Sequence, residues 1–227
     1  MTNEAGPNLV HSGLVFYVDA ANSRSYSGSG NTVIDLKNQN NGTLINLPTY
    51  NSSNGGYFTF NGSSNYINVP TSSDITFTSG TNYSLSVWFY ISSLPGRWTG
   101  IVTKSRDVHP WYGIWISTGN NYDWATPSGG SILNLFGSLA TTGWHNLCGV
   151  YDVSNNLSTL YVDGKYNAST AIGTSSTVGS GDLVIGTAKS VSEYLSGNIS
   201  NVAIYNRALL STEVLQNFNA LKGRYGL

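Results

Sequence analysis

Residues 97–124 concentrate the side chains best suited to chemistry. The stretch RWTGIVTKSRDVHPWYGIWISTGNNYDW holds Trp98, Trp111, Trp115 and Trp124, four of the six tryptophans, together with Tyr112 and Tyr122. Arg97, Arg106, Asp107, His109, Asn120, Asn121 and Asp123 lie among them. Flat apolar rings offer platforms for the C–H faces of a pyranose, and Asn, Asp, Arg and His can hydrogen-bond its hydroxyls. Aromatic rings with a polar edge suit such half-wet surfaces. The candidate carbohydrate site is Trp98, Trp111, Trp115, Trp124, Tyr122, His109, Asp107 and Asn121. Trp98, Trp111 and Trp124 fall in or beside loops, which on a rigid scaffold carry function. The alternative is that these rings fill the core or seal a subunit interface. For Trp115 the two readings stand level.

Bond-breaking constellations are scarce. A retaining glycoside hydrolase needs two carboxyl groups about 5–5.5 Å apart. The glutamates are Glu4, Glu193 and Glu213, and none has a second acid at strand or helix spacing. Asp152 and Asp163 flank a strand rather than share one of its faces. The histidines are His11, His109 and His145. His145, in GWHNLC, reads as a structural strand residue. A nucleophile-elbow sequence, an HExxH motif and a phosphate-binding glycine loop are all missing. The reading is of a binding protein and not an enzyme.

Composition narrows the partners. Only 9% of the 227 residues are charged, against roughly a quarter in an average protein. The formal net charge is −1. So few cations cannot neutralise a run of phosphates, which argues against nucleic acid and against anionic membranes. No apolar run approaches the roughly 20 residues needed to span a bilayer, and no secretory leader opens the chain. Cys148 is the single cysteine, so an internal disulfide and a cysteine zinc cluster are excluded. It reads as a small buried apolar residue.

The elements that must position the aromatic stretch are strands. In SLSVWFYIS, Leu85, Val87, Phe89 and Ile91 alternate with Ser86, Trp88 and Tyr90, the period of a pleated strand. Trp88 therefore faces away from the core side. In YGIWIS, Tyr112, Ile114 and Ile116 share one face, and Trp111, Gly113 and Trp115 the other. STLYVDGKYN reads as a hairpin whose Asp163-Gly164 turn accepts positive φ angles. GLVFYVD, GYFTF, NYINV, GIVTK, HNLCGVYD, DLVIGTA and ISNVAIYN are further strands. Many short strands between turn signals indicate a sandwich or barrel, hence an all-β fold.

One helix is expected at the C-terminus, with Ser211 as N-cap and Glu213 in its first turn. Val214, Leu215, Phe218 and Leu221 form its apolar stripe, and Lys222 and Gly223 end it. The chain divides into an arm (residues 1–11), a sandwich (12–210), and a helix and tail (211–227) packed on the sandwich.

Several segments together resemble the laminin-G-like branch of the concanavalin A-like lectin/glucanase superfamily. They are GLVFYVDAANSRSYSGSGNTVIDLKNQNNGTLIN, GGYFTFNGSSNYINVP, YSLSVWFYI, GWHNLCGVYD, LYVDGK and GNISNVAIYNRALLSTEV, in that order. The resemblance implies two antiparallel sheets packed as a jelly roll with a short C-terminal helix, and recognition of carbohydrate or protein. Trp144 resembles a recurrent structural tryptophan of the family. The ending NVAIYNRALLSTEVLQNFNALKGRYGL is similar to laminin-G-like proteins of bacteriophages and environmental bacteria. That likeness points to a virion protein such as a tail fibre, spike or capsid decoration protein, made in a host cytoplasm or displayed on an extracellular surface. Its partners would be a host glycan and other virion subunits, and oligomerisation stays open. Many family members carry calcium. Asp19, Asn22 and Asp35 are the candidate ligands here, while Asn61 and Asn65 stand where relatives often carry acids and lower the ligand charge.

Overall fold

The structure is a computed structural model that describes residues 7–37, 40–189 and 191–227. Glu4 and most of the N-terminal arm lie outside them. Sixteen strands are found among the described residues. The first six are β1 (Leu14–Asp19), β2 (Thr32–Val33), β3 (Gly42–Ile45), β4 (Thr49–Asn51), β5 (Tyr57–Asn61) and β6 (Tyr66–Val69). The central set is β7 (Tyr83–Ile91), β8 (Thr99–Lys104), β9 (Tyr112–Ile116), β10 (Asn121–Ser128), β11 (Ser131–Leu139) and β12 (Gly143–Asp152). The last four are β13 (Leu157–Val162), β14 (Lys165–Ala171), β15 (Leu183–Ile185) and β16 (Ser196–Tyr205), and helix α1 (Ser211–Leu221) follows.

These strands form two antiparallel sheets. One runs β14-β13-β12-β7-β16-β5-β4, with β1 also paired to β16. The other runs β11-β10-β9-β8-β15-β6-β3-β2. Alternation decides what enters the space between them. Leu85, Val87, Phe89 and Ile91 of β7 meet Tyr112, Ile114 and Ile116 of β9 in one core. The sandwich and the inward faces of both strands are as the sequence indicates. The Asp163-Gly164 turn between β13 and β14 takes φ of 50° and 74°, the positive angles its sequence favours.

Helix α1 covers the outer face of the first sheet. Val214 and Leu221 are buried in that contact, while Phe218 stacks on Trp88 at 5.4 Å between centroids. Tyr225, in a short 3-10 turn after the helix, stacks on the same indole at 4.3 Å. Trp88 thus points outward, as its alternation requires. Trp144 packs beside it against Tyr57, Tyr90 and Tyr225. Two details of the helix differ from expectation. Leu210 and not Ser211 occupies the cap position, and its backbone N–H donates to Glu213 Oε2 at 2.9 Å. Leu215 is exposed, and Asn217 replaces it in the interface, accepting from Val10 N–H and donating to the Tyr205 hydroxyl. The described end of the arm is therefore stitched to the helix. Cys148 is buried in the same layer, where desolvation pushes its thiol up to about 12.

Candidate ligand-binding pocket

The outer face of the second sheet is left open, and β8 to β11 build a pocket there. The residues that face outward alternate with the core residues already named. Trp115 of β9 lies opposite Asp123 of β10, and Asp123 lies opposite Phe136 of β11. Ala125 and Asn134 form the next row. Gly113 precedes Trp115 on the same face. A Cβ there would lie 2.8 Å from the Trp115 ring, so glycine leaves the space in which the indole lies against the sheet. Trp98 leads into β8, and its ring meets Phe136 at 6.1 Å. Trp111 stands at the start of β9.

The cavity measures about 270 Å³ and is lined by Trp98, Trp111, Trp115, Arg106, Asp123, Ala125, Asn134 and Glu193. Its polar groups are held at defined points. Glu193, in the loop before β16, accepts a 2.8 Å hydrogen bond from the Trp115 indole N–H. The Arg106 guanidinium lies 4.2 Å from the Trp111 ring centre, a cation–π contact, and 4.0 Å from Glu193 Oε1. Burial raises the Glu193 pKa, while the Trp115 bond and Arg106 pull it back. Asp123 is only 1% exposed, and its Oδ1 has no hydrogen-bond partner. Desolvation alone lifts its pKa to about 8, so at neutral pH it is mostly protonated.

The loop between β8 and β9 is anchored from below. Lys104 is fully buried and its ammonium donates to the carbonyls of Gly179 and Gly181 and to Thr71 Oγ1. Desolvation lowers its pKa to about 8. These bonds fix the point from which Arg106 and Trp111 depart.

Of the eight residues proposed from sequence, three line the cavity: Trp98, Trp111 and Trp115. His109 stands beside it, with its ring edge-on to Trp111 at 4.9 Å and its Nε2 at 2.9 Å from the Gly130 carbonyl. Trp124 and Tyr122 belong elsewhere. Both point inward from β10 and are 0% and 1% exposed in the core between the sheets. The strand simply begins earlier than the loop reading allowed, and its alternation turns them away from solvent. Asp107 is exposed but outside the lining, near Gly181. Asn121 spends its amide on the Gly137 carbonyl. The eight-residue site omitted Arg106 and Asp123, although both lie in the aromatic stretch from which it was drawn, and Asn134 and Glu193, which lie outside that stretch. Asp123 was accessible by alternation, since its neighbours Tyr122 and Trp124 are inward. Glu193 is 78 positions from the indole it binds, and no local pattern links them.

Two acids thus line one cavity, which the spacing of the glutamates did not foretell. Burial raises the pKa of both, and at Glu193 the Trp115 bond and Arg106 oppose it.

The opening-loop residues expected to hold calcium are engaged with their own chain. Asp19 is 2% exposed and accepts from Arg224 Nη1 at 3.0 and 2.9 Å, from the Tyr17 hydroxyl and from Ala21 N–H. Asp35 accepts from the backbone of Tyr17, Lys37 and Asn40. Asn22 accepts from Arg24 N–H. Asn61 and Asn65 cap the turn between β5 and β6. Among the described residues no group of three or more His, Cys, Asp or Glu side chains is placed to hold a metal.

A family model described as the concanavalin A-like lectin/glucanases superfamily matches residues 61–215. The chain belongs to that superfamily. Solved structures share the fold of this superfamily member at low identity. The binding domain of Paraclostridial Mosquitocidal Protein 1 superposes with a TM-score of 0.74 at 18% identity, covering 92% of this chain and 52% of that one. The botulinum neurotoxin serotype G binding domain gives 0.70 at 16%, covering 90% and 50%. A Trypanosoma rangeli sialidase in complex with the inhibitor DANA gives 0.67 at 13%, covering 96% and 34%. This superfamily member therefore spans about half of the toxin binding domains and a third of the sialidase. At these identities the likeness is one of fold. No curated protein sequence matches the chain. Among the described residues, no helix is long and apolar enough to cross a membrane.

Proposed function

We propose that this domain is a non-catalytic, lectin-like module that binds carbohydrate in the pocket on the outer face of β8 to β11. One observation carries the reading: three indoles, Trp98, Trp111 and Trp115, wall a cavity of about 270 Å³ that also presents Arg106, Asn134, Glu193 and Asp123. Apolar walls with a few fixed polar groups are the usual make-up of a small-molecule site. The likeness to two toxin binding domains supports a binding role. The virion setting, as a tail fibre, spike or decoration protein, rests on the phage-like style of the ending and is part of the proposal. A glycan array read with the native protein and with Trp98→Ala and Trp111→Ala tests the site. Specific binding that survives both substitutions would move the site elsewhere.

A second reading, a structural or cement protein, is favoured by a different feature. Edge strand β11 exposes Phe136 at 50% and Leu139 at 65%. Bare apolar groups on a sheet edge invite another subunit. Sedimentation of the purified chain separates the two: an obligate oligomer that buries β11 and binds no glycan favours the structural role. A glycoside hydrolase is the remote third reading, since two acids line the pocket. Turnover of an oligosaccharide that vanishes in Asp123→Asn or Glu193→Gln would establish it.

A further inference from the structure

If the pocket is a carbohydrate site, as proposed above, one of its acids decides which glycans it takes. A buried carboxyl oxygen without a partner is costly, and native proteins seldom keep one without a reason. Asp123 is such a group: 1% exposed, Oδ1 unpartnered, and part of the cavity lining among Trp115, Ala125 and Asn134. Phe136 lies opposite it on β11. The cations near the pocket are committed elsewhere. Arg106 lies on the Trp111 face and beside Glu193, and Lys104 is tied to backbone carbonyls behind the sheet. Glu193 is already bonded to Trp115. Neither a donor nor a cation of the lining is bonded to Asp123 Oδ1.

Three ligand chemistries can be compared. An anionic sugar would meet the electron-rich faces of three indoles and the carboxylate of Glu193, with the one guanidinium already shared. A neutral hydroxyl would supply a hydrogen bond to Asp123 but no charge. A protonated amine would supply both, and indole faces attract cations as well. We infer that the pocket selects an amine-bearing sugar whose ammonium group is received by Asp123 with Trp98, Trp111 and Trp115 around it. The amine keeps its proton and Asp123 gives its own to solvent, so the bound pair is ammonium and carboxylate.

The test uses the full chain and three versions of each saccharide on one array: free amine, N-acetylated amine and hydroxyl. Benzyltrimethylammonium, followed by indole fluorescence, serves as a cation without a sugar. The expected result is at least a tenfold preference for the free amine over both other forms. Asp123→Asn should abolish that preference while leaving neutral sugars bound. Calorimetry of the native protein in two buffers of different ionisation enthalpy should show a proton released on amine binding near pH 7, which needs no variant. Equal binding of all three forms would overturn the amine assignment and leave the glycan site standing. Binding of benzyltrimethylammonium with no saccharide bound would overturn the glycan site and leave a cation pocket. Binding of neither kind would overturn both.

Discussion

The Trp115 indole N–H donates to Glu193 Oε2 at 2.8 Å, joining the middle of β9 to a loop that comes 78 residues later. The bond ties the indole to the carboxylate at the pocket wall. A hydrogen bond to a charged group contributes about 1.5–3 kcal/mol. Glu193→Ala should free the indole and weaken ligand binding at least tenfold. Glu193→Gln keeps an acceptor for the indole but drops the charge that faces Arg106, and should cost less. Titration of both variants by indole fluorescence checks the order. Equal losses would mean that charge rather than ring positioning matters.

Tryptophans on opposite faces of one sheet should answer differently to truncation. Trp98→Ala and Trp111→Ala remove pocket walls that are half-buried, and should lower affinity about tenfold or more while the melting temperature moves little. Trp124→Ala empties a fully buried site and should cost about 3–5 kcal/mol of stability. Thermal melts beside binding isotherms distinguish the two classes. A Trp124 variant that folds normally and binds poorly would return that residue to the site.

Most of the scaffold was legible because a strand writes its two faces into alternate residues. β7 and β9 place Leu85, Ile114 and their neighbours inward and Trp88 outward, as their patterns demand, and Trp115, for which groove and core stood level, also turns outward. The site was half legible. Aromatic chemistry pointed to Trp98, Trp111 and Trp115, which line the cavity, but aromatic type alone could not tell Trp124 from them. The pairing that decides it is remote: Gly149 of β12 has no Cβ, and one placed there would lie 2.2 Å from the Trp124 ring. That glycine opens the core to an indole, and only the packing of the two sheets reveals it. Gly149→Ala should therefore destabilise the fold about as much as an overpacked core does, by ~1–3 kcal/mol, in a denaturant titration.

Stability should decline as pH rises through the neutral range. Asp123 ionises near pH 4 in the unfolded chain and at about 8 in the folded one. Between those values the folded state holds the extra proton. Its contribution is fully present below pH 4 and is lost as pH approaches 8. Glu193, also raised by burial, acts with the same sign. Lys104 acts oppositely and later: lowered to about 8 in the fold, it makes stability recover as pH rises from there towards the ordinary lysine range. Melts from pH 4 to 10 should show the fall and the recovery, and Asp123→Asn should flatten the fall. A native profile flat from pH 5 to 8 would mean that Asp123 is solvated.

Calcium should not stabilise this domain through its opening loop. Metal binding there would require Asp19 to release Arg224, whose guanidinium already faces both carboxylate oxygens at 3.0 and 2.9 Å. The Tyr17 hydroxyl and Ala21 N–H complete the set. A cation added to a carboxylate already paired gains only the difference between two partners, less the cost of freeing the first. Millimolar calcium or a chelator should leave the melting temperature unchanged. Arg224→Ala should lower stability by up to ~3 kcal/mol, the low end for breaking a buried pair, because the guanidinium is 32% exposed. The same change loosens the turn that carries Tyr225 onto Trp88, so the outer layer of the first sheet should lose protection in hydrogen exchange before the pocket does. A calcium-dependent rise in the native melting temperature would show that Asp19 exchanges its partner for the metal.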